Sequence, residues 1–358
     1  MSDILHPQEV KARAPGAGAV FIYTLTLSAV VVALYAQSVD YPFQFDDRGS
    51  VRDDERIRDI RDIAGIWRIN PPRFLVFLSF AANYTIGGQD VLGYHIFNIL
   101  LHAATSAAVW YFLSLLLEFT ARLEGRSVDL GLERMCAFAA ALIFAVHPLQ
   151  TEVVTYIWQR SSSMAALFYI LTLAFYLRSC MERMDGRSAR VWKKWMALSA
   201  ASMILAMFSK QFAVTIPVAV ALLDFILISR SWSMFRERAA SWAVFAPGLL
   251  IIPLVTFFSD TREINDLIQR EGNLLSWHQY FITQFNVIVF VYIKLLFYPA
   301  GQNLAHDFPP SGAFMDSAPG FIILSALLAA GLAAHAAPGN RPLLSGTGTR
   351  AGSQVVNS

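Results

Sequence analysis

The chain has 358 residues, of which 56% are hydrophobic and only 15% charged, with a net charge of +2 and a mean hydropathy of +0.47. Soluble domains carry about 25% charged residues, so the composition excludes an ordinary soluble domain and predicts an all-α polytopic protein in a lipid bilayer. The near-neutral charge, without a basic stripe, leaves no case for nucleic acid.

A polar segment, 1–18, precedes an apolar run over 20–36, long enough to span roughly 25 Å at 1.5 Å per residue. No small residues stand at the spacing that signal cleavage requires, so a retained first transmembrane helix is expected. Further spans are predicted over 96–117, 135–147, 164–177, 195–208, 212–229, 242–258, 282–298 and 321–334, about nine in all at near 20 apolar residues each. Several are short, as in helices that break at a protein-lined cavity. Cys136 lies in an apolar run and Cys180 in a basic loop, which fits neither a disulfide pair nor a metal site.

A long loop, 38–94, follows the first span. Within it, residues 53–67 put Ile57, Ile60, Ile63 and Trp67 on one helical stripe, away from Arg56, Arg58, Arg61 and Asp62. That pattern predicts an amphipathic helix in the headgroup plane. Residues 74–86 are apolar but too short to cross, and are expected at the interface. Lys and Arg mark the cytoplasmic side: Arg178, Arg183, Arg187, Arg190, Lys193 and Lys194 crowd one loop, and Arg230, Arg236 and Arg238 the next on that side. With 1–18 as a cytoplasmic tail, the extracytoplasmic side collects 46–94, 147–163, 209–211 and 260–280. Residues 336–358 are rich in Gly, Ser, Pro and Thr without apolar periodicity, and are predicted to be a disordered tail. The membrane domain is thus 19–335.

The outer side holds the groups able to do chemistry. Asp46 and Asp47 are adjacent carboxylates at a membrane surface, where repulsion and low dielectric raise the pKa of at least one. Such an acid takes a proton from an attacking hydroxyl; a helix cap or hydrated turn is the structural alternative. Arg73 follows two prolines at the start of an apolar run, where a guanidinium pairs with a lipid phosphate or snorkels to water. His95, Asn98 and His102 share a helix face, a polar seam at a depth where ionisable groups point to function, or a hydrogen-bonded packing contact. The histidines lack further ligands at zinc spacing. His147 closes a short span. Glu152, Tyr156 and Gln159 share a face with Arg160 close by, which is either a Glu–Arg pair or an acceptor-facing acid beside a phosphate-facing arginine. Lys210 adds a cation without an obvious local partner, and Asp224, inside a span, is read as a helix-to-helix hydrogen bond.

Taken in order, Phe45-Asp46-Asp47, Arg73 ahead of Asn83-Tyr84, Gly93-Tyr94-His95-Ile96-Phe97-Asn98-Ile99-Leu100-Leu101-His102, His147-Pro148-Leu149-Gln150-Thr151-Glu152, Gln159-Arg160-Ser161, Ser209-Lys210, and Thr283-Gln284 running to Leu295-Leu296-Phe297-Tyr298-Pro299 form a series. It resembles the membrane half of the TMTC-type proteins, GT-C glycosyltransferases related to the protein O-mannosyltransferases and usually followed by tetratricopeptide repeats. The resemblance covers roughly residues 20–310. It implies a GT-C-like bundle with a large first extracytoplasmic loop, and a sugar moved from a polyprenyl-phosphate donor to an acceptor hydroxyl on a protein or glycan. The expected place is the inner membrane of a bacterium, with the site facing the periplasm.

In that pattern Asp46 or Asp47 is the base. Arg73, Arg160 and Lys210 are the candidates for neutralising the leaving phosphate, since stabilising developing charge in a dry site is usually the largest catalytic contribution. His95, Asn98, His102, His147, Glu152 and Gln159 are the candidate pocket residues. No cofactor is assigned: Asp46 and Asp47 alone are too few ligands to argue for a divalent metal. Two features depart from the pattern. Gln211 follows Lys210 where such sequences commonly carry a glutamate, and no tetratricopeptide repeats follow. The competing readings are a transporter or lipid flippase, whose repeated halves are not evident here, and a truncated, non-catalytic membrane remnant.

Overall fold

A computed structural model describes residues 17–123, 130–229, 231–258, 276–303 and 308–336. The expected tails over 1–16 and 337–358, Arg230 and the 260–275 stretch of the outer side lie outside the described residues. Every regular element among the described residues is helical. Among the described residues, seven stretches are long and apolar enough to cross a membrane: Val20–Ser38, Val91–Leu123, Ile157–Met184, Gln211–Ser229, Ala239–Phe258, Trp277–Phe297 and Phe314–Gly331. The other two expected spans fall short on these terms. That over 135–147 lies in a helix described over 17 residues, Leu130–Val146, and that over 195–208 in one whose first turns carry Arg190, Lys193 and Lys194.

The chain forms two compact units. The first holds α1 (Ala17–Tyr35), α2 (Ile63–Ile69), α3 (Phe74–Gly87), α4 (Val91–Leu123), α5 (Leu130–Val146), α6 (Gln150–Thr155), α7 (Arg160–Met184), α8 (Ala189–Met207), α9 (Ile216–Leu223), α10 (Trp232–Glu237), α11 (Ala239–Trp242) and α12 (Gly248–Phe258). The long α4 is its axis, with α1, α5 and α7 packed around it. The closest pairing is α7 with α8. Hydroxyls there allow the backbones to approach and hydrogen-bond across the seam: Ser199 Oγ donates to Thr172 O (2.7 Å) and Ser179 Oγ to Trp192 O (2.8 Å). Because α7 runs on to Met184, Cys180 is a buried helical residue rather than part of a loop, and it and the exposed Cys136 are free thiols.

The loop after α1 departs from the expected amphipathic helix over 53–67. Asp54, Asp59 and Asp62 each capture a nearby backbone N–H, from Arg56 (3.0 Å), Arg61 (2.9 Å) and Gly65 (2.8 Å). The Asp54 and Asp59 bonds compete with a continuous helix, whereas that of Asp62 caps the start of Ile63–Ile69, which closes into an α-helix after a short 3-10 turn over Glu55–Ile57. The expected stripe splits: Ile57 turns into the core beside Ile66, while Ile63 and Trp67 stay exposed.

One end of this unit gathers basic residues. Arg122 pairs with Asp185 (2.9 Å), and Arg238 with the fully buried Asp224 (2.8 Å). Asp224 also accepts hydrogen bonds from Tyr176 Oη and Ser229 Oγ (both 2.5 Å), so it joins helices as its position in a span suggested.

In the second unit, α13 (Trp277–Val287) widens through Ile288–Ile293 and continues as α14 (Lys294–Phe297), packing on α15 (Ala318–Ala336). Asn286 donates to Asp316 O (2.8 Å) and accepts the Gly320 N–H (3.1 Å). A Cβ on Gly320 would stand 2.4 Å from Phe285 O, so only glycine admits this approach.

Candidate active site

After α1 comes a short 3-10 turn over Ala36–Ser38, and the chain then bends at Phe45, whose φ of +41° is rare for a residue with a side chain. Strain of this kind persists only where surrounding contacts over-determine it. Here the Phe45 ring meets Tyr156 edge-on (6.5 Å), and the Asp46 N–H donates to Tyr156 Oη (3.1 Å). The turn sends the two aspartates opposite ways: Asp46 is exposed and Asp47 only 1% exposed. Asp47 Oδ1 accepts the Trp158 N–H (2.7 Å) and Oδ2 the Gln44 N–H (3.1 Å). Burial pushes the Asp47 carboxyl up to about 6 against the pull of these donors, and the charge of Asp46 adds to the rise.

Two cations stand at the same end. Pro71 and Pro72 open a tight turn that presents Arg73, and the Leu75 N–H bonded to Phe208 O (3.0 Å) ties this turn to the end of α8. The Arg73 guanidinium lies 5.1 Å over the Trp158 ring, and its Nε donates to Gln211 Oε1 (3.4 Å). Lys210, just past α8, donates to Ser162 Oγ (2.6 Å) and Gln159 Oε1 (3.4 Å). Gln159 in turn donates to Glu152 (2.9 Å). Among the described residues neither Arg73 nor Lys210 forms an ion pair. Burial lowers the pKa of Arg73, with the charge of Asp46 acting the other way. Burial also lowers that of Lys210, and the charge of Arg73 lowers it further. The charge of Glu152 partly offsets this at Lys210, and two half-buried cations near one another, neither in an ion pair among the described residues, are arranged to receive an anion.

The structure therefore brings Asp46, Asp47, Arg73, Glu152, Gln159 and Lys210 to one end. It places Arg160 differently. Arg160 is wholly buried, with its Nε on Asn98 Oδ1 (2.8 Å) and its terminal nitrogens on Ser79 Oγ (3.1 Å) and Tyr94 O (3.0 Å). The rings of Phe97 (4.2 Å) and Phe80 (4.5 Å) cover its faces. It fastens α7 to α3 and α4 and presents no face to a phosphate. The Glu152–Arg160 alternative does not form either, since the partner of Glu152 is Gln159.

The polar seam of α4 is likewise occupied by protein. His95 Nε2 meets Tyr41 O (2.9 Å), His102 Nε2 meets Ala145 O (3.0 Å), and Asn98 donates to Val154 O (3.4 Å) while accepting from Arg160. These contacts tie α4 to the outer loop, α5 and α6. His147 is half-buried, and its Nδ1 accepts the Leu149 N–H (3.2 Å) in the turn before α6. Trp158 and Ser162 escaped the sequence reading; their signal was position alone, flanking Gln159-Arg160-Ser161. No three His, Cys, Asp or Glu side chains among the described residues are grouped to hold a metal ion.

Comparison with known proteins finds relatives over part of the chain. It is 29% identical to protein O-mannosyl-transferase TMTC4 of Homo sapiens over 223 residues, 58% of this chain and 29% of the relative. It is 30% identical to protein O-mannosyl-transferase TMTC2 of Homo sapiens over 222 residues, 58% of this chain and 24% of the relative. With protein O-mannosyl-transferase Tmtc2 of Drosophila melanogaster it shares 32% identity over 180 residues, 49% of this chain and 17% of the relative. The matches thus span under a third of these relatives' length, and the homology is to TMTC-type proteins, as the ordered motifs imply. No family model matches the chain, and no solved structure does.

Proposed function

We propose that this TMTC-like chain is a membrane glycosyltransferase, moving a sugar from a polyprenyl-phosphate donor to an acceptor hydroxyl at the extracytoplasmic surface. The observation that carries the reading is the pair Arg73 and Lys210, two half-buried cations without an ion-pair partner among the described residues, beside the exposed carboxylate of Asp46. A leaving prenyl phosphate supplies the missing negative charge. In the step, the acceptor oxygen bonds to the anomeric carbon as that carbon's bond to the phosphate oxygen breaks. The phosphate leaves with the electron pair, and Asp46 takes the hydroxyl proton. Arg73 and Lys210 stabilise the charge developing on the phosphate in a low-dielectric setting where such contacts act most strongly.

Glu152, Gln159 and Ser162 hold Lys210 through a chain of hydrogen bonds. Gln211, standing where such sequences commonly carry an acid, gives Arg73 a neutral hydrogen-bond partner in place of an ion pair. The basic end, with Arg122, Arg183 and Arg238, faces the cytoplasm in this reading, so the site opens to the periplasm of a bacterial inner membrane. The relatives' names make mannose the first sugar to test and a protein hydroxyl the first acceptor.

The experiment incubates the purified protein in lipid nanodiscs with radiolabelled polyprenyl-phosphate mannose and a Ser/Thr-rich peptide. Label is expected on the peptide, with a loss of about 10²–10⁴ in Asp46→Asn, the usual worth of a general base. In proteoliposomes, flux of intact donor without cleavage would overturn the reading in favour of a transporter.

A further inference from the structure

We propose that Asp47 is a positioning residue: its carboxylate clasps the outer loop to the turn before α7, and so fixes where Asp46 stands relative to Arg73 and Lys210. The inference rests on the glycosyltransferase reading for its link to catalysis, and on geometry alone for the clasp.

Asp47 is enclosed, and each of its oxygens already holds a backbone N–H. One comes from Gln44 within the loop, the other from Trp158, 111 residues further along the chain. Trp158 is also the residue whose ring underlies Arg73 (5.1 Å), and the next residue, Gln159, receives a hydrogen bond from Lys210 (3.4 Å). A single carboxylate therefore joins the segment carrying the proton acceptor to the platform carrying both cations. The second tie, from the Asp46 N–H to Tyr156 Oη, runs to the same turn and acts in parallel. The charged and titratable groups facing Asp47 are Asp46, Tyr156 and Arg160. None forms an ion pair with it among the described residues, so the clasp is made of N–H donors.

A misplacement of about 1 Å in a reacting group is enough to cost about 10²-fold in rate. Asp47→Ala should therefore lower kcat by about that factor while leaving the donor KM in place. Arg73 and Lys210 keep their own anchors at Gln211 and Ser162. Asp47→Asn retains one accepting oxygen and should recover most of kcat, to within about tenfold of the wild type, the scale of one lost hydrogen bond. If Asp47→Asn is as inert as Asp46→Asn, or Asp46→Asn keeps full turnover, Asp47 is the reacting acid and the inference falls.

Hydrogen exchange reads the clasp without activity. Amide exchange across 43–48 and 157–159 should quicken at least about tenfold in Asp47→Ala, the worth of a lost hydrogen bond, and stay unchanged in Asp46→Asn. Unchanged exchange in Asp47→Ala overturns the clasp. A wild type that transfers no sugar overturns the glycosyltransferase reading, and the exchange result then still decides the clasp.

Discussion

Arg160→Lys separates a packing arginine from a phosphate-binding one. The native guanidinium reaches three acceptors on two helices at once, Ser79 of α3 and Asn98 and Tyr94 O of α4, while aromatic rings cover its faces. Lysine keeps the charge but has no planar fork, and one ammonium cannot span acceptors arranged around a guanidinium. Losing one or two charge-assisted bonds, at about 1.5–3 kcal/mol each, leaves buried acceptors unpaired and predicts about 2–5 kcal/mol of destabilisation. The assay is thermal unfolding in detergent, followed by fluorescence-detected size exclusion, together with donor affinity per folded molecule. The expected outcome is a midpoint several degrees lower with donor affinity unchanged. A variant that melts like the wild type but binds donor more than about tenfold more weakly, the loss of one charged contact, would refute the reasoning and return Arg160 to the phosphate site.

Two further outcomes follow from buried acids at opposite ends of the first unit. The Asp47 carboxyl sits at about 6 in the clasped loop against an ordinary value of about 3.9, so the clasped state binds the proton more tightly than a released loop. Protection of 43–48, corrected for intrinsic exchange, should thus fall as pH rises from about 4 to about 6 and level off above, with Asp47→Asn flat throughout; protection rising across that window would contradict it. Asp224→Ala leaves Arg238 buried without its acid and should cost about 3–5 kcal/mol in thermal stability, while Asp46 chemistry and donor affinity stay unchanged. A stable variant with impaired donor binding would sink that assignment.

The spans were largely legible because long apolar runs leave few alternatives in a chain this poor in charge. The runs over 212–229 and 242–258 coincide closely with Gln211–Ser229 and Ala239–Phe258. Helix ends were less so: α7 extends four residues before and seven after the expected span over 164–177, because Ser161, Ser163 and Glu182 are buried against neighbours that a linear pattern does not contain. The 53–67 stripe misled because apolar spacing is blind to Asp54 and Asp59 bonding their own backbone and to Asp62 starting a new helix.

At the candidate site, the polar groups that were expected to gather did include Asp46, Arg73, Glu152 and Lys210, which stand at one end of the first unit. Their charge alone could not divide the labour between neighbours. A left-handed Phe45 turns one aspartate out and the other in, and the burial of Arg160 depends on rings from α3 and α4. Both are tertiary facts, as are the carbonyl partners of His95 and His102.

The central claim is that Arg73 and Lys210 hold a prenyl phosphate, and equilibrium binding of a sugar-free polyprenyl phosphate to the purified protein tests it most directly. Saturable binding is predicted, weakened by about tenfold or more in Arg73→Met and in Lys210→Met, the scale of one charge-assisted contact, and unchanged in Asp46→Asn. Equal affinity in the wild type and both cation variants would contradict the account.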